Sequence, residues 1–137
     1  MAQDRQMCGL AGELFVAAEL LKRKFQTSVT FGNAKAIDLF THNSKTGRTF
    51  AIQVKTLRGR NYFFLGREDV KSDSIYIFVI LNKPGKPVQY FVVPGQDLSD
   101  TPERFGKGFA HPKIPGIHPK RLEELGYEDS WSAFEKS

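Results

Sequence analysis

With 137 residues, 40% hydrophobic content, twelve Phe and four Tyr, the chain is one domain with a sizeable core and not a disordered polymer. A net charge of +5 and a pI near 9.4 are a mild basic excess that suits a polyanionic partner. A lone cysteine, Cys8, excludes a disulfide framework and a thiolate zinc cluster, and the lack of a leader pattern or of about 18 consecutive apolar residues sets the expectation of a cytoplasmic protein away from membranes.

Residues 9–25 carry helical periodicity, with Leu10, Leu14, Ala17, Ala18, Leu21 and Phe25 on one side and Glu19, Lys22, Arg23 and Gln26 on the other. Three strands follow, over 28–31, 35–41 and 48–56. The tetrapeptide 44–47, with Ser first and Gly fourth, predicts a type I turn that joins the last two as a hairpin. A basic loop over 57–61 leads to a short helix around 67–71. The unbroken apolar run IYIFVIL at 75–81 predicts a strand covered on both faces. Another strand spans 88–93. Five of the seven prolines then mark a loop to about residue 119, and short helices are expected at 120–125 and 130–135. The predicted organisation is a single domain over 1–137. Helix, three strands, helix and two strands over about 9–93 make an α+β or α/β sheet with helices against its faces, followed by a Pro-rich extension over 94–137.

The chemistry concentrates on the hairpin. A turn at 44–47 sets Asn43 across from Arg48 and Asp38 across from Gln53, and directly opposed residues share a face. Asp38, Gln53 and Lys55 then cluster on one side, while Ile37, Leu39, Ile52 and Val54 pack on the other. Glu13 projects from the helix between Leu20 and Ala17, at the edge of the apolar face, where a carboxylate needs a partner. Gly9, Gly12 and Ala17 allow close approach of the helix. Glu13 and Asp38 suit Mg²⁺, which takes a few carboxylate oxygens and keeps waters and phosphate oxygens. Gln53 adds a neutral carbonyl oxygen, and Lys55 an orienting and electrostatic group for water and phosphate. The plainer alternatives are a cross-strand Asp38–Lys55 ion pair and a Glu13 carboxylate paired with Lys24 or Lys35.

Gly12-Glu13-x-x-x-Ala17-Ala18, Ala36-Ile37-Asp38-Leu39 and Ile52-Gln53-Val54-Lys55-Thr56 together resemble the PD-(D/E)xK nuclease superfamily, which includes restriction endonucleases and Holliday junction resolvases. The resemblance covers about residues 9–81 and implies a restriction-endonuclease-like α/β fold, an αβββαβ core with a mixed central sheet flanked by helices. It also implies a Mg²⁺-dependent endonuclease, served by Mn²⁺ too, that hydrolyses DNA phosphodiester bonds, with a preference for junctions or branched DNA. Asp38 falls on the second motif, Lys55 on the third and Glu13 on the helical glutamate, giving Glu13, Asp38, Gln53 and Lys55 as catalytic residues and the first three as metal ligands. Gln53 departs from the usual acidic residue. Members with Gln there, a group I intron homing endonuclease among them, are active. Lys35, Arg58, Arg60, Tyr62 and Lys107 are the expected nucleic-acid contacts, and a homodimer is expected if both strands are cut. No small-molecule cofactor is expected. The rival readings are a DNA-binding module or a protein-interaction subunit that keeps the fold without the chemistry. The segment 102–121 reads either as a base-stacking surface or as a coat that buries Phe105 and Phe109.

Overall fold

The computed structural model describes residues 2–30 and 37–136. A long helix, α1 (Ala2–Lys22), precedes a meander of β1 (Gln26–Val29), β2 (Leu39–Asn43) and β3 (Arg48–Leu57). After β4 (Phe63–Phe64) and a 3₁₀ turn at Arg67–Asp69 come β5 (Ser74–Ile80) and β6 (Gln89–Pro94). The remainder holds α2 (Gly95–Asp100), 3₁₀ turns at Pro102–Phe105 and Lys107–Ala110, β7 (Gly116–Ile117), α3 (Pro119–Glu124) and a last 3₁₀ turn at Trp131–Glu135. The sheet runs β1-β2-β3-β5-β6, antiparallel throughout except for the parallel β3–β5 pair, and β4 pairs with β7 apart from it.

This is the expected mixed sheet with helices against it. As IYIFVIL predicts, every residue of β5 is buried. Two cores explain why. On one side Ile75, Ile77 and Val79 pack with Val16, Leu20, Leu39, Ile52 and Phe134. On the other, Tyr76, Phe78 and Ile80 pack with Phe63, Phe105, Phe109, Ile117 and Leu122. The 102–121 segment is therefore a coat that buries Phe105 and Phe109. It is more structured than the expected loop: Pro94 ends β6 and α2 begins at the next residue. The helix expected at 67–71 is a single 3₁₀ turn, so the parallel crossover from β3 to β5 proceeds without an α-helix.

The first helix departs most from expectation. It starts seven residues earlier than Gly9, because Cys8 enters the core and Asp4 is clasped by Arg58. It stops at Lys22 rather than Phe25. Lys24 takes φ 73°, its N–H bonds to Leu21 O, and the Phe25 N–H returns to Leu20 O at 3.0 Å. That is a Schellman ending, with Phe25 and Leu20 in contact with the same core. The buried face is also different. Cys8, Gly12, Val16, Ala17 and Leu20 meet the sheet, whereas Leu10, Leu14 and Leu21 are 46%, 48% and 54% exposed. Shape decides between the two apolar faces. Gly12 lies against Thr56 so closely that a Cβ there would overlap the Thr56 hydroxyl, and a leucine face could not come so near. Gly9, by contrast, approaches nothing and serves no such purpose.

Replacing Gly12 with Ala should destabilise the protein by about 1–3 kcal/mol through overpacking. Thr56→Ala in the same chain should recover much of the loss, which a double-mutant cycle by urea unfolding would measure. The second prediction concerns alkali. Burial pushes the Tyr90 hydroxyl up to about 12, and burial together with its bond to Asp97 raises Tyr127 as well. An acid whose folded pKa is raised stabilises the fold below its ordinary value of 10 and loses that contribution as pH climbs through the folded pKa. Melting temperature should be flat to pH 10 and fall beyond it, less steeply in Tyr127→Phe.

Candidate active-site groove

The hairpin register agrees with the sequence reading, from Asn43↔Arg48 to Leu39↔Ile52. The turn does not: all four residues 44–47 lie outside the ladder, closed by the Gly47 N–H on Asn43 O at 2.8 Å with Gly47 at φ 76°. Asn43 secures it, its Oδ1 accepting from Lys45 N and its Nδ2 donating to Phe134 O. Either turn leaves the pairing unchanged.

At Asp38 the ladder slips. Leu39 is already the partner of Ile52, yet the Asp38 N–H also goes to Ile52 O, at 2.9 Å, and the chain bends. Two residues of one strand against one of the other make a bulge. The next rung of β3, the Val54 N–H, is met not by a strand carbonyl but by Asp38 Oδ2 at 2.8 Å. Asp38 therefore does not stand squarely across from Gln53. Its carboxylate lies in the gap where β2 leaves β3, against the backbone between Gln53 and Lys55. Thr30 holds the departing strand, with its N–H on Asp38 O and its hydroxyl shared between Asp38 O and Ile37 O.

Gln53 and Lys55 pair with Tyr76 and Phe78 across the parallel ladder and so project from their face. Over β5 and β6 that face is sealed by the coat, but beyond it the surface opens into a groove of about 590 Å³ with Gln53 and Lys55 on the floor. One wall is the 3₁₀ turn, where the Glu68 and Asp69 carboxylates fold over Gly66 with Arg67 beside them. The opposite wall carries His111 and Lys113. His111 Nδ1 accepts from the N–H groups of Lys113 and Ile114 at 3.1 and 3.0 Å, which assigns the ring proton to Nε2. Glu68, Asp69, Arg67 and His111 were not among the sequence candidates. The tripeptide His111-Pro112-Lys113 recurs seven residues on as His118-Pro119-Lys120, and both copies fold alike, His118 Nδ1 accepting from Lys120 N at the start of α3.

Glu13 is half-buried between Ala17 and Leu20, and one residue from it Gly12 rests on Thr56, next in chain to Lys55. It belongs to the helical layer on the other face from the groove floor, at the same level of β3. Among the described residues no three His, Cys, Asp or Glu side chains stand together as a metal-holding group. A metal on this set would need the Gln53 carbonyl and oxygen ligands from outside the protein, which is a donor composition that Mg²⁺ accepts.

The nucleic-acid candidates divide. Arg58 grips Asp4 through Nε and Nη2, at 3.0 and 2.7 Å, and that bond lowers the Asp4 pKa. Arg60 forks onto Glu123 at 2.8 and 3.2 Å. These exposed ion pairs tie the end of β3 to the start of α1 and the following loop to α3. Tyr62 stands edge-on to His118, with ring centroids 5.0 Å apart, in a second groove shared with Lys107, Lys120 and Arg121. Lys35 lies outside the described residues.

No protein-family model and no curated protein matches this sequence. Among solved structures, the chain shares its fold with a bacterial homing endonuclease, I-Ssp6803I. The TM-score is 0.54 at 12% identity, over 96% of this chain and 98% of that one.

The geometry separates the structural work of Asp38 from its chemistry. Asp38→Asn keeps an oxygen for the Val54 N–H and should unfold within about 0.5 kcal/mol of the parent, the spread of benign substitutions. Asp38→Ala orphans that N–H and should lose about 1–2 kcal/mol. Thermal and urea unfolding of the two variants check this difference.

Proposed function

We propose that this protein is a metal-dependent endonuclease of the PD-(D/E)xK type, hydrolysing DNA phosphodiester bonds over the floor of the groove. The carrying observation is the Asp38 carboxylate fixed on the Val54 N–H, between Gln53 and Lys55. The likeness in fold to a homing endonuclease supports the reading, as does the three-part resemblance in sequence. Asp38 and Gln53 would hold Mg²⁺ or Mn²⁺, with Glu13 joining them only by reaching from the other face through the gap between β2 and β3. The bound ion would supply Lewis acidity to the phosphate and a more acidic water.

The chain's own groups do the rest. Asp38 contributes negative charge in a position that the sheet fixes, so no reorganisation is needed when substrate arrives. Lys55 orients the attacking water and stabilises charge that builds on the phosphate oxygens. Gln53 holds a ligand or a water through its carbonyl while its amide donates to the strand being cut. Lys113 and Arg67 line the walls and would contact the phosphates of a polymer lying in the groove, where such contacts set register. Junctions or branched DNA are the preferred substrates in this reading, and two copies act together when both strands are cut.

One observation favours a second reading. Because the Asp38 carboxylate completes the β2–β3 junction, the residue has a structural reason to be present in a protein that no longer cuts, and Gln53 is the position where such a protein would differ. That protein would be a DNA-binding or protein-interaction subunit.

Labelled linear, nicked, single-stranded and four-way-junction DNA, incubated with Mg²⁺ or Mn²⁺, decides between them. Cleavage should require the metal and fall at least about 100-fold in both Lys55→Ala and Asp38→Asn, the size of effect seen when one transition-state contact is removed. Binding that persists in EDTA, with no cutting of any substrate, would establish the inactive subunit instead.

A further inference from the structure

The outer face of α1 is the largest anomaly left on the molecule. Met7, Leu10, Leu14, Phe15 and Leu21 are 45–55% exposed, on a helix whose opposite face already fills the core. At 100° per residue, Met7, Leu10, Leu14, Ala18 and Leu21 fall within about 80° of one another. They recur every three or four residues, the seam spacing of helices that pack on helices. A shallow groove floored by Val88 and Tyr90 continues the apolar surface beside Phe15. An apolar stripe of this length on one helix marks an interaction surface.

We propose that this stripe is where two copies of the chain meet, α1 packing antiparallel on α1 about a two-fold axis near Leu14. Two features point to a second copy as the occupant. The stripe is self-complementary about its middle: turned end to end, Met7 meets Leu21, Leu10 meets Ala18, and Leu14 meets itself, so every apolar residue of the seam finds an apolar partner. Finally, joining two such stripes and their flanking grooves removes roughly 1,000 Å² in total from water, about the least that a specific interface needs. The interface lies on the layer opposite the groove floor, so each copy keeps its groove open. The proposal supplies the surface for the pairing assumed above, yet neither leucine belongs to the groove, so its test is independent of cleavage.

Sedimentation equilibrium of the full chain should show a concentration-dependent passage from the 15.5 kDa monomer to a species of twice that mass. Leu10→Glu/Leu14→Glu should raise the dissociation constant at least about tenfold, which is 1.4 kcal/mol, with the helicity of the monomer unchanged and the concentration dependence of the melting temperature lost. As a second measurement, Leu14→Cys should be linked to itself by a short bis-maleimide, since Cys8 is buried, while Ser99→Cys on exposed α2 should not. A wild-type chain that stays monomeric to high micromolar concentration, or a dimer indifferent to the two glutamates, overturns the proposal. So does association of the stripe with a different protein in place of self-association.

Discussion

A single hydrogen bond, from the Val54 N–H to the Asp38 carboxylate, organises the part of the molecule where chemistry is expected. Without it the sheet would have to choose between two poor options at this point. Continuing the β2–β3 ladder would close the gap in which the carboxylate sits. Ending it would leave a half-buried amide without an acceptor, a state that folded proteins avoid. The side chain resolves the conflict by standing in for a strand carbonyl, and Thr30 collects the carbonyls that the bulge sets aside. A charged oxygen is thereby held at a sheet opening by the same bond that makes the opening tolerable.

Everything else in the fold positions that opening by covering the sheet unequally. One face is closed along its length by α1, seated through Gly12 on Thr56, and by the aromatic cluster of Phe25, Phe50, Trp131 and Phe134. The other is closed only over β5 and β6, where Phe63, Phe105 and Phe109 lie against Tyr76, Phe78 and Phe91. Near the opening, Arg58 and Arg60 link the end of β3 to α1 and α3 through exposed ion pairs with Asp4 and Glu123. Cations that remain on the walls, Arg67 and Lys113, come from the crossover and the coat.

Much of this is legible in the sequence where period and composition speak locally. The unbroken apolar run of β5 and the hairpin register follow from patterns a few residues long, whereas the burial of Phe105 and Phe109 is what makes 102–121 a coat and not a stacking surface. The edge placement of Glu13 follows from helical geometry. What the sequence does not reveal depends on contacts between distant segments. Two faces of α1 are apolar, and hydrophobicity cannot choose between Leu10-Leu14-Leu21 and Cys8-Gly12-Val16-Leu20. The fit of Gly12 on Thr56 makes the choice. The slip at Asp38 is invisible because alternation predicts parity and not where a ladder gives way. Arg58 and Arg60 look like free cations until the carboxylates 54 and 63 residues away are in place. Glu68 and Asp69 were passed over because a three-residue 3₁₀ turn has no periodic signature.

The two sides of the groove differ in how they are fastened. Its floor belongs to β3, paired with β2 up to Ile52 and with β5 from Ala51 to Leu57, so displacing it means dismantling the sheet. The wall at 110–115 hangs from the two-rung β4–β7 ladder, one further bond from Leu65 to Pro115, and the anchor of Phe109. Such a piece opens at a small fraction of the global unfolding free energy. The groove thus works like a caliper with one fixed jaw and one sliding jaw. The width that it admits is set by the residues of the sliding jaw, and lengthening or shortening 111–114 would change the gauge without disturbing Gln53 and Lys55 on the fixed one.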